Sequence, residues 1–190
     1  MITEIKTSSM VNRRRFTVLE YHRMVEAGIL REDDHVELIH GEIIQMSPIG
    51  NPHSSTVRRL INKLTRQLDS EFTIDAQNPV KIRDHSEPEP DIVILPFRDD
   101  YYADGVTPAD VLLIIEVSDT TLRYDQTVKL PLYATAGIPE VWIIDVGRQQ
   151  LKVHHDPSEG QYQSSNTLFR NETVSATQLP LSIEVKHLIG

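Results

Sequence analysis

Apolar residues recur at helical spacing most clearly between His53 and Leu68, where Val57, Leu60, Ile61, Leu64 and Leu68 make one stripe. The stripe predicts an amphipathic helix turned toward a core. Val111 to Val117 is instead an almost unbroken apolar run, the signature of a strand covered on both faces, and Val141 to Asp145 reads the same way. Between them a polar stretch from Ser118 leads into a helical segment over roughly Tyr124 to Ala136, closed by Gly137. Strand, helix and strand in that order predict parallel pairing, because a crossover returns the chain to the same end of the sheet. Pro131 stands inside the helical segment, where an interior proline costs about 3 kcal/mol, so a kink or a late helix start is expected.

Shorter signals fill in the rest. Thr17 with Glu20 fits a capping box and Phe16 with Tyr21 a hydrophobic staple, predicting a helix that ends near Gly28. His35 to Ile39 and Glu42 to Met46 flank His40-Gly41 as a hairpin, and Pro48, Gly50 and Pro52 mark a loop. Val80 to Arg83 and Ile92 to Leu95 read as strands. Beyond Asp145 the chain alternates in short β-prone pieces, Gln150 to His154 and Leu181 to Val185, expected to extend the sheet in antiparallel fashion. At 190 residues the length suits one domain. The expected organisation is a flexible segment over residues 1–15 and a single α/β domain over 16–190, with a central mixed sheet flanked by helices.

Composition removes several function classes. Hydrophobic residues at 39% and charged residues at 25% are ordinary globular usage, which excludes a disordered or fibrous chain. No apolar run approaches the roughly 20 residues that span a bilayer, so a membrane partner is not expected. Without cysteine, thiolate catalysis and thiolate-held zinc are excluded, a metal must sit on oxygen or imidazole, and a cytoplasmic location is expected. A net charge of −9 argues against coating nucleic acid by bulk electrostatics. It leaves open a local basic groove, and a carboxylate-rich metal centre would itself add negative charge.

Three residues attract chemical interest. Asp91 stands at a strand mouth behind Pro90, and a turn acid is the plain alternative. Glu116 lies inside Leu112-Leu113-Ile114-Ile115-Glu116-Val117, where an unpaired carboxylate is costly to bury. A metal ion, a lysine or backbone amides would compensate it, and a strand-end salt bridge is as open as a functional site. Alternation puts Glu116 on the same face as Ile114 and Ser118. Lys129, on the first turns of the helical segment, has a stem long enough to bring its ammonium back over that strand end. Two carboxylates and a lysine suit phosphodiester hydrolysis: paired carboxylates hold Mg²⁺ or Mn²⁺, and a lysine orients water and offsets phosphate charge.

The segment EVSDTTLRYDQTVKLPLYATAGIPEVWIID, preceded by PEPDIVIL, resembles the Uma-two family of restriction-endonuclease-like proteins in the PD-(D/E)XK nuclease superfamily. Glu116-Val117-Ser118, Tyr124-Asp125, Lys129, Tyr133, Gly137, Pro139-Glu140, Trp142 and Asp145 follow the family's order. Upstream, Glu37-Leu38-Ile39, Gly41-Glu42 and Met46-Ser47-Pro48 do too, so the resemblance covers most of residues 16–146. It implies a restriction-endonuclease-like fold, Mg²⁺ or Mn²⁺ on Asp91 and Glu116, Lys129 as the catalytic lysine, a nucleic-acid substrate with DNA foremost, and a further N-terminal acid, Glu42 in preference to Glu37. Ser118 departs from the superfamily pattern, which places a lysine there; Lys129 would be its relocated counterpart. A twofold dimer would suit cutting both strands of a duplex, though no residue pattern specifies one.

Weaker features have plain alternatives. Arg58, Arg59, Lys63 and Arg66 would meet phosphates or simply form a solvated helix face. His53, where the resemblance also places a histidine, would touch substrate or only shape the turn. His154-His155 is adjacent, so in a strand the two rings point to opposite faces and do not form a metal pair. Arg13-Arg14-Arg15 reads as a solvated end or a phosphate-binding arm. Two rival functions stand beside the nuclease: a nuclease-fold module that binds nucleic acid or protein without cutting, and a structural homodimer with Trp142 and Tyr133 at its interface.

Overall fold

The computed structural model describes residues 13–190. Most of the expected flexible segment therefore lies outside the described residues. The first helix, α1 (Val18–Glu26), begins as expected: Thr17 caps it, with the Glu20 side chain returning to the Thr17 backbone. The hairpin follows as β1 (Val36–Ile39) and β2 (Glu42–Gln45), its turn made by His40 and Gly41 with φ of 51° and 79°. Two left-handed residues match the twist of the flanking strands. Gly41 is also a close approach, since a Cβ there would lie 2.5 Å from Cβ of Arg15.

The main sheet has six strands in the order β3-β4-β5-β6-β7-β8. They are β3 (Phe72–Asp75), β4 (Ile92–Pro96), β5 (Leu113–Ser118), β6 (Glu140–Asp145), β7 (Gln150–Ser158) and β8 (Gln161–Phe169). Only β5 and β6 pair in parallel, joined by the anticipated helical crossover. Alternation along the central strands divides the core. Ile92, Ile94, Leu113, Ile115, Val117, Trp142 and Ile144 pack on one face against Val57, Leu60 and Leu64 of α2 (Asn51–Gln67). Val93, Leu95, Ile114, Val141 and Ile143 pack on the other, against Leu132 and Tyr133. Burying a leucine such as Leu60 or Leu64 contributes roughly 1.5–3 kcal/mol. A second hairpin, β9 (Thr173–Ser175) with β10 (Ser182–Glu184), and a terminal helix described below close the first face.

The crossover helix runs from α3 (Leu122–Tyr124) through a π-helical turn (Asp125–Lys129) into α4 (Leu130–Ala136), and α5 (Lys186–Ile189) is the last element. The Leu130 N–H donates to the Asp125 carbonyl, one residue further back than in an α-helix. The widened turn comes immediately before Pro131, which then occupies a first-turn position of α4 where its missing N–H leaves no gap. The expected disturbance is thus a change of register. Gly137, at φ 80°, ends the helix.

Three readings need correction. Leu181 to Val185 does not extend the main sheet, since β10 pairs with β9 in a separate two-stranded sheet. Val80 to Arg83 is not a strand; it makes only isolated bridges, Val80 with Val106 and Ile82 with Ser86, because Arg83 turns left-handed at φ 54°. Trp142 and Tyr133 have no exposed surface, and the Trp142 indole donates to Glu140 at 2.6 Å, so neither lies at an interface. Among the described residues, no helix is long and apolar enough to cross a membrane.

His154 on β7 packs near the Tyr162 ring with its Nε2 buried and unpartnered. Burial depresses its pKa to about 4. The unfolded chain takes up this proton near pH 6.5 and the folded chain does not, so stability falls as pH drops from about 6.5 to 4. The expected loss is roughly 2 kcal/mol after allowance for solvent screening. Urea unfolding of wild type and His154→Leu across that range checks it; equal pH slopes would refute it.

Candidate active site

Four elements bring charged groups to one end of the sheet. Asp91 immediately precedes β4, Glu116 lies in β5, Lys129 closes the π-helical turn, and Glu37 projects from β1. Glu116 faces the crossover helix because it shares the side of Ile114, as strand alternation requires. The Lys129 ammonium lies 3.3 Å from Glu37 Oε2 and 3.3 Å from Glu116 Oε1, and its side chain is 7% exposed. It also donates to the Glu89 carbonyl at 3.4 Å. Asp91, Glu116 and Lys129 are thus brought together.

Each acid is held in orientation. Asp91 Oδ2 accepts the Val117 N–H at 2.8 Å, and its Oδ1 lies 2.9 Å from His53 Nε2. The Tyr133 hydroxyl donates to Glu116 Oε1 at 2.6 Å, and the Tyr124 hydroxyl to Glu37 Oε1 at 3.0 Å. Tyr133 is four residues after Lys129 on the same helix, so one helical face delivers an ammonium and a hydroxyl to the same carboxylate. Ser118, where the superfamily pattern has a lysine, donates to the buried Asp125 at 2.7 Å, as does Thr121. The space a lysine would take at 118 is therefore filled by a side chain of the crossover helix.

The electrostatics follow from burial. Desolvation raises the Glu116 carboxyl against the pull of Lys129. Desolvation alone would lower the Lys129 ammonium, but Glu116, Glu37, Asp125 and Asp91 outweigh it and hold the lysine above its usual value. Between the two, the proton resides on Lys129, since several carboxylates face one ammonium. The Asp91 hydrogen bond raises His53 above its ordinary value, and burial raises Glu89.

These groups line a cavity of about 370 Å³ walled by Met46 to Gly50, His53, Asp119 and Tyr124. Glu37, Glu116 and Lys129 are among its buried members, with Val117 and Asp125. Among the described residues, no three His, Asp or Glu side chains form a ready-made cation cage.

The other sequence candidates are dispersed. Glu42 is not in the cluster: it lies next to the hairpin turn opposite Ile39, about half exposed and 3.7 Å from Arg13. Glu37 takes the place expected of it, because only Glu37 points under the helix where Lys129 and Tyr124 meet its charge. Of the basic group on α2, none lines the cavity. Arg58 and Arg66 are exposed, Lys63 is half-buried, and the Arg59 guanidinium lies against Gly190, just after the last helix. His53 does line it, at the N-terminal turn of α2. Tyr124 and Tyr133 were the residues whose roles went unread, and Glu37 had been placed second to Glu42. A charge inside Val36-Glu37-Leu38-Ile39 is the same signal that singled out Glu116, and the 129/133 spacing marks Tyr133.

Truncating Lys129 to methionine leaves Glu37 and Glu116 buried without a counter-charge, an expected loss of about 3–5 kcal/mol at neutral pH. Urea denaturation reads this directly; a loss below about 1 kcal/mol would show that the ammonium does not compensate the pair.

A family model described as "Putative restriction endonuclease", Uma2, matches residues 18–186. Among curated proteins nothing matches. The crystal structure of a "putative nuclease belonging to DUF820" from Anabaena variabilis ATCC 29413 superposes with a TM-score of 0.65 at 18% identity, over 87% of this chain and 96% of that one. At that identity the likeness establishes the shared fold. With a helix-borne lysine facing the strand acids and a family match spanning nearly the whole chain, this protein belongs to the Uma2 family.

Proposed function

We propose that this protein is a metal-dependent endonuclease that hydrolyses phosphodiester bonds in nucleic acid, DNA foremost. The observation that carries the reading is the convergence of Asp91, Glu116 and Lys129 in the lining of one cavity. The donor set fits a hard cation. Mg²⁺ and Mn²⁺ favour carboxylate oxygen, and Mg²⁺ typically takes only one or two protein carboxylates beside water and substrate phosphate, so a three-residue cage is not required. Asp91 and Glu116 would hold it. When bound, the cation supplies charge stabilisation at the phosphate and activates water for attack.

The chain's own groups do the rest. The Val117 amide and His53 fix the Asp91 carboxylate, and the Tyr133 hydroxyl fixes Glu116. Lys129, held cationic by the surrounding carboxylates, orients the attacking water and faces the charge that builds on the phosphate. With these carboxylates holding its proton, Lys129 acts through its charge. Glu37, anchored by Tyr124, keeps the ammonium over the strand end. Water oxygen bonds to phosphorus and releases a proton to solvent, the bond from phosphorus to the leaving sugar oxygen breaks, and that oxygen takes up a proton from solvent.

The test is cleavage of plasmid and single-stranded DNA with Mg²⁺, Mn²⁺ or EDTA, together with calorimetric titration of Mn²⁺. Asp91→Asn and Glu116→Gln are expected to lower cleavage at least about 100-fold while the protein stays folded, and Asp91→Asn to abolish Mn²⁺ uptake. Cleavage that persists in EDTA or in either variant would sink the assignment. Mn²⁺ uptake dependent on Asp91 with no cutting of any substrate would favour the non-cutting binding module.

A further inference from the structure

A second cavity lies along the rim of the sheet that carries the candidate active site, and strand register places it. Ser118 at the end of β5 is opposite Asp145, Asp145 is opposite Gln150, and Gln150 is opposite Phe169 at the end of β8. The four residues make one row across four strands. Phe169 is thus three strand spacings from Ser118, about 14 Å at roughly 4.8 Å each.

The cavity measures about 520 Å³ and is lined by Arg148, Gln149, Phe169, Arg170, Asn171 and Glu172. Phe169 is 58% exposed, an unusual state for a phenylalanine. The Arg148 side chain is 70% exposed and touches its own turn only through a 3.7 Å contact with Asp145. Arg170 is braced from behind, donating to Gln149 Oε1 at 3.1 Å and to the Gly190 carbonyl. The Glu172 carboxylate is engaged in its own turn, where it accepts the Phe169 N–H at 2.7 Å. One cavity thus brings together an open aromatic ring and two guanidinium groups, Arg170 held by neutral acceptors and Arg148 largely open to solvent.

We infer that this cavity binds single-stranded nucleic acid, with a base stacked on Phe169 and the flanking phosphates on Arg148 and Arg170. Every base has a π-face that can cover such a ring, and guanidinium groups meet phosphate oxygens. In a duplex those faces are already stacked on one another, so the ring selects an unpaired strand. The shared rim leads that strand toward Asp91 and Glu116, so the cavity is a subsite a few nucleotides from the bond to be cut. The choice of ligand rests on the nuclease reading; the binding surface does not.

The test uses fluorescence anisotropy of a labelled fifteen-nucleotide oligo-dT in EDTA, where no cutting is expected, beside a duplex of the same length. Phe169→Ala is expected to weaken single-strand binding roughly 5- to 150-fold and to leave duplex binding unchanged. Phe169→Trp should restore affinity, with its fluorescence quenched on binding, a stacking signature that a merely structural role would not produce. Arg148→Ala should lower the salt slope by about 0.7. Single-strand affinity unchanged in Phe169→Ala, or no binding by wild type, would overturn the inference. Metal-dependent cleavage with Phe169-independent binding removes the subsite alone. Phe169-dependent binding without cleavage of any substrate sustains the subsite and removes the nuclease.

Discussion

The ammonium of Lys129, buried 3.3 Å from both Glu37 and Glu116, ties together three parts of the chain that are far apart in sequence. Any one of these charges alone in that interior would cost several kcal/mol. The hairpin that carries Glu37, the central strand that carries Glu116 and the crossover helix that carries Lys129 are therefore stable only in one another's presence. Tyr124 and Tyr133 complete the arrangement by satisfying carboxylate lone pairs that the single ammonium cannot reach. A site built this way has little freedom to relax. Its charges are held in place by one another, the kind of preorganisation that the proposed hydrolysis would use.

The core elements were legible because burial writes itself into the sequence. Val111 to Val117 and the stripe on α2 are apolar for the same reason that they lie at the centre, and the Thr17–Glu20 box states where α1 starts. The strand β8 was not legible. Its residues Gln161 to Phe169 are largely polar, and it forms by pairing with β7 at an edge where only one side of the backbone needs a partner. Nothing in local propensity announces such a strand. Val80 to Arg83 failed in the opposite way: its apolar residues are buried, but a left-handed Arg83 ends any pairing.

In the site, charged residues inside apolar runs were the informative ones. Glu116 was recognised by that signal, and Glu37 carried it equally inside Val36 to Ile39. What periodicity does not supply is which carboxylate lies beneath a helix whose Tyr124 is 87 residues away. Glu42 was preferred although it lies at the turn end of the hairpin, on the face of Glu37 but opposite Ile39, where it sits beside Arg13 at the surface. The role of His53 was hidden for a similar reason, since its partner Asp91 comes from a different element.

The π-helical turn has a consequence for how this chemistry is encoded. Because acid and lysine sit on different elements, their separation along the chain is a property of the connecting segment, and residues between Ser118 and Leu122 can change in number without moving the ammonium. The helix itself has no such latitude. Successive residues advance by about 100° around its axis, so losing the one extra residue of the widened turn would swing Asp125, which Ser118 holds, out of phase with Lys129 and Tyr133. The rigid quantity is the angular phase of one helix, and the spacing between acid and lysine is free to drift.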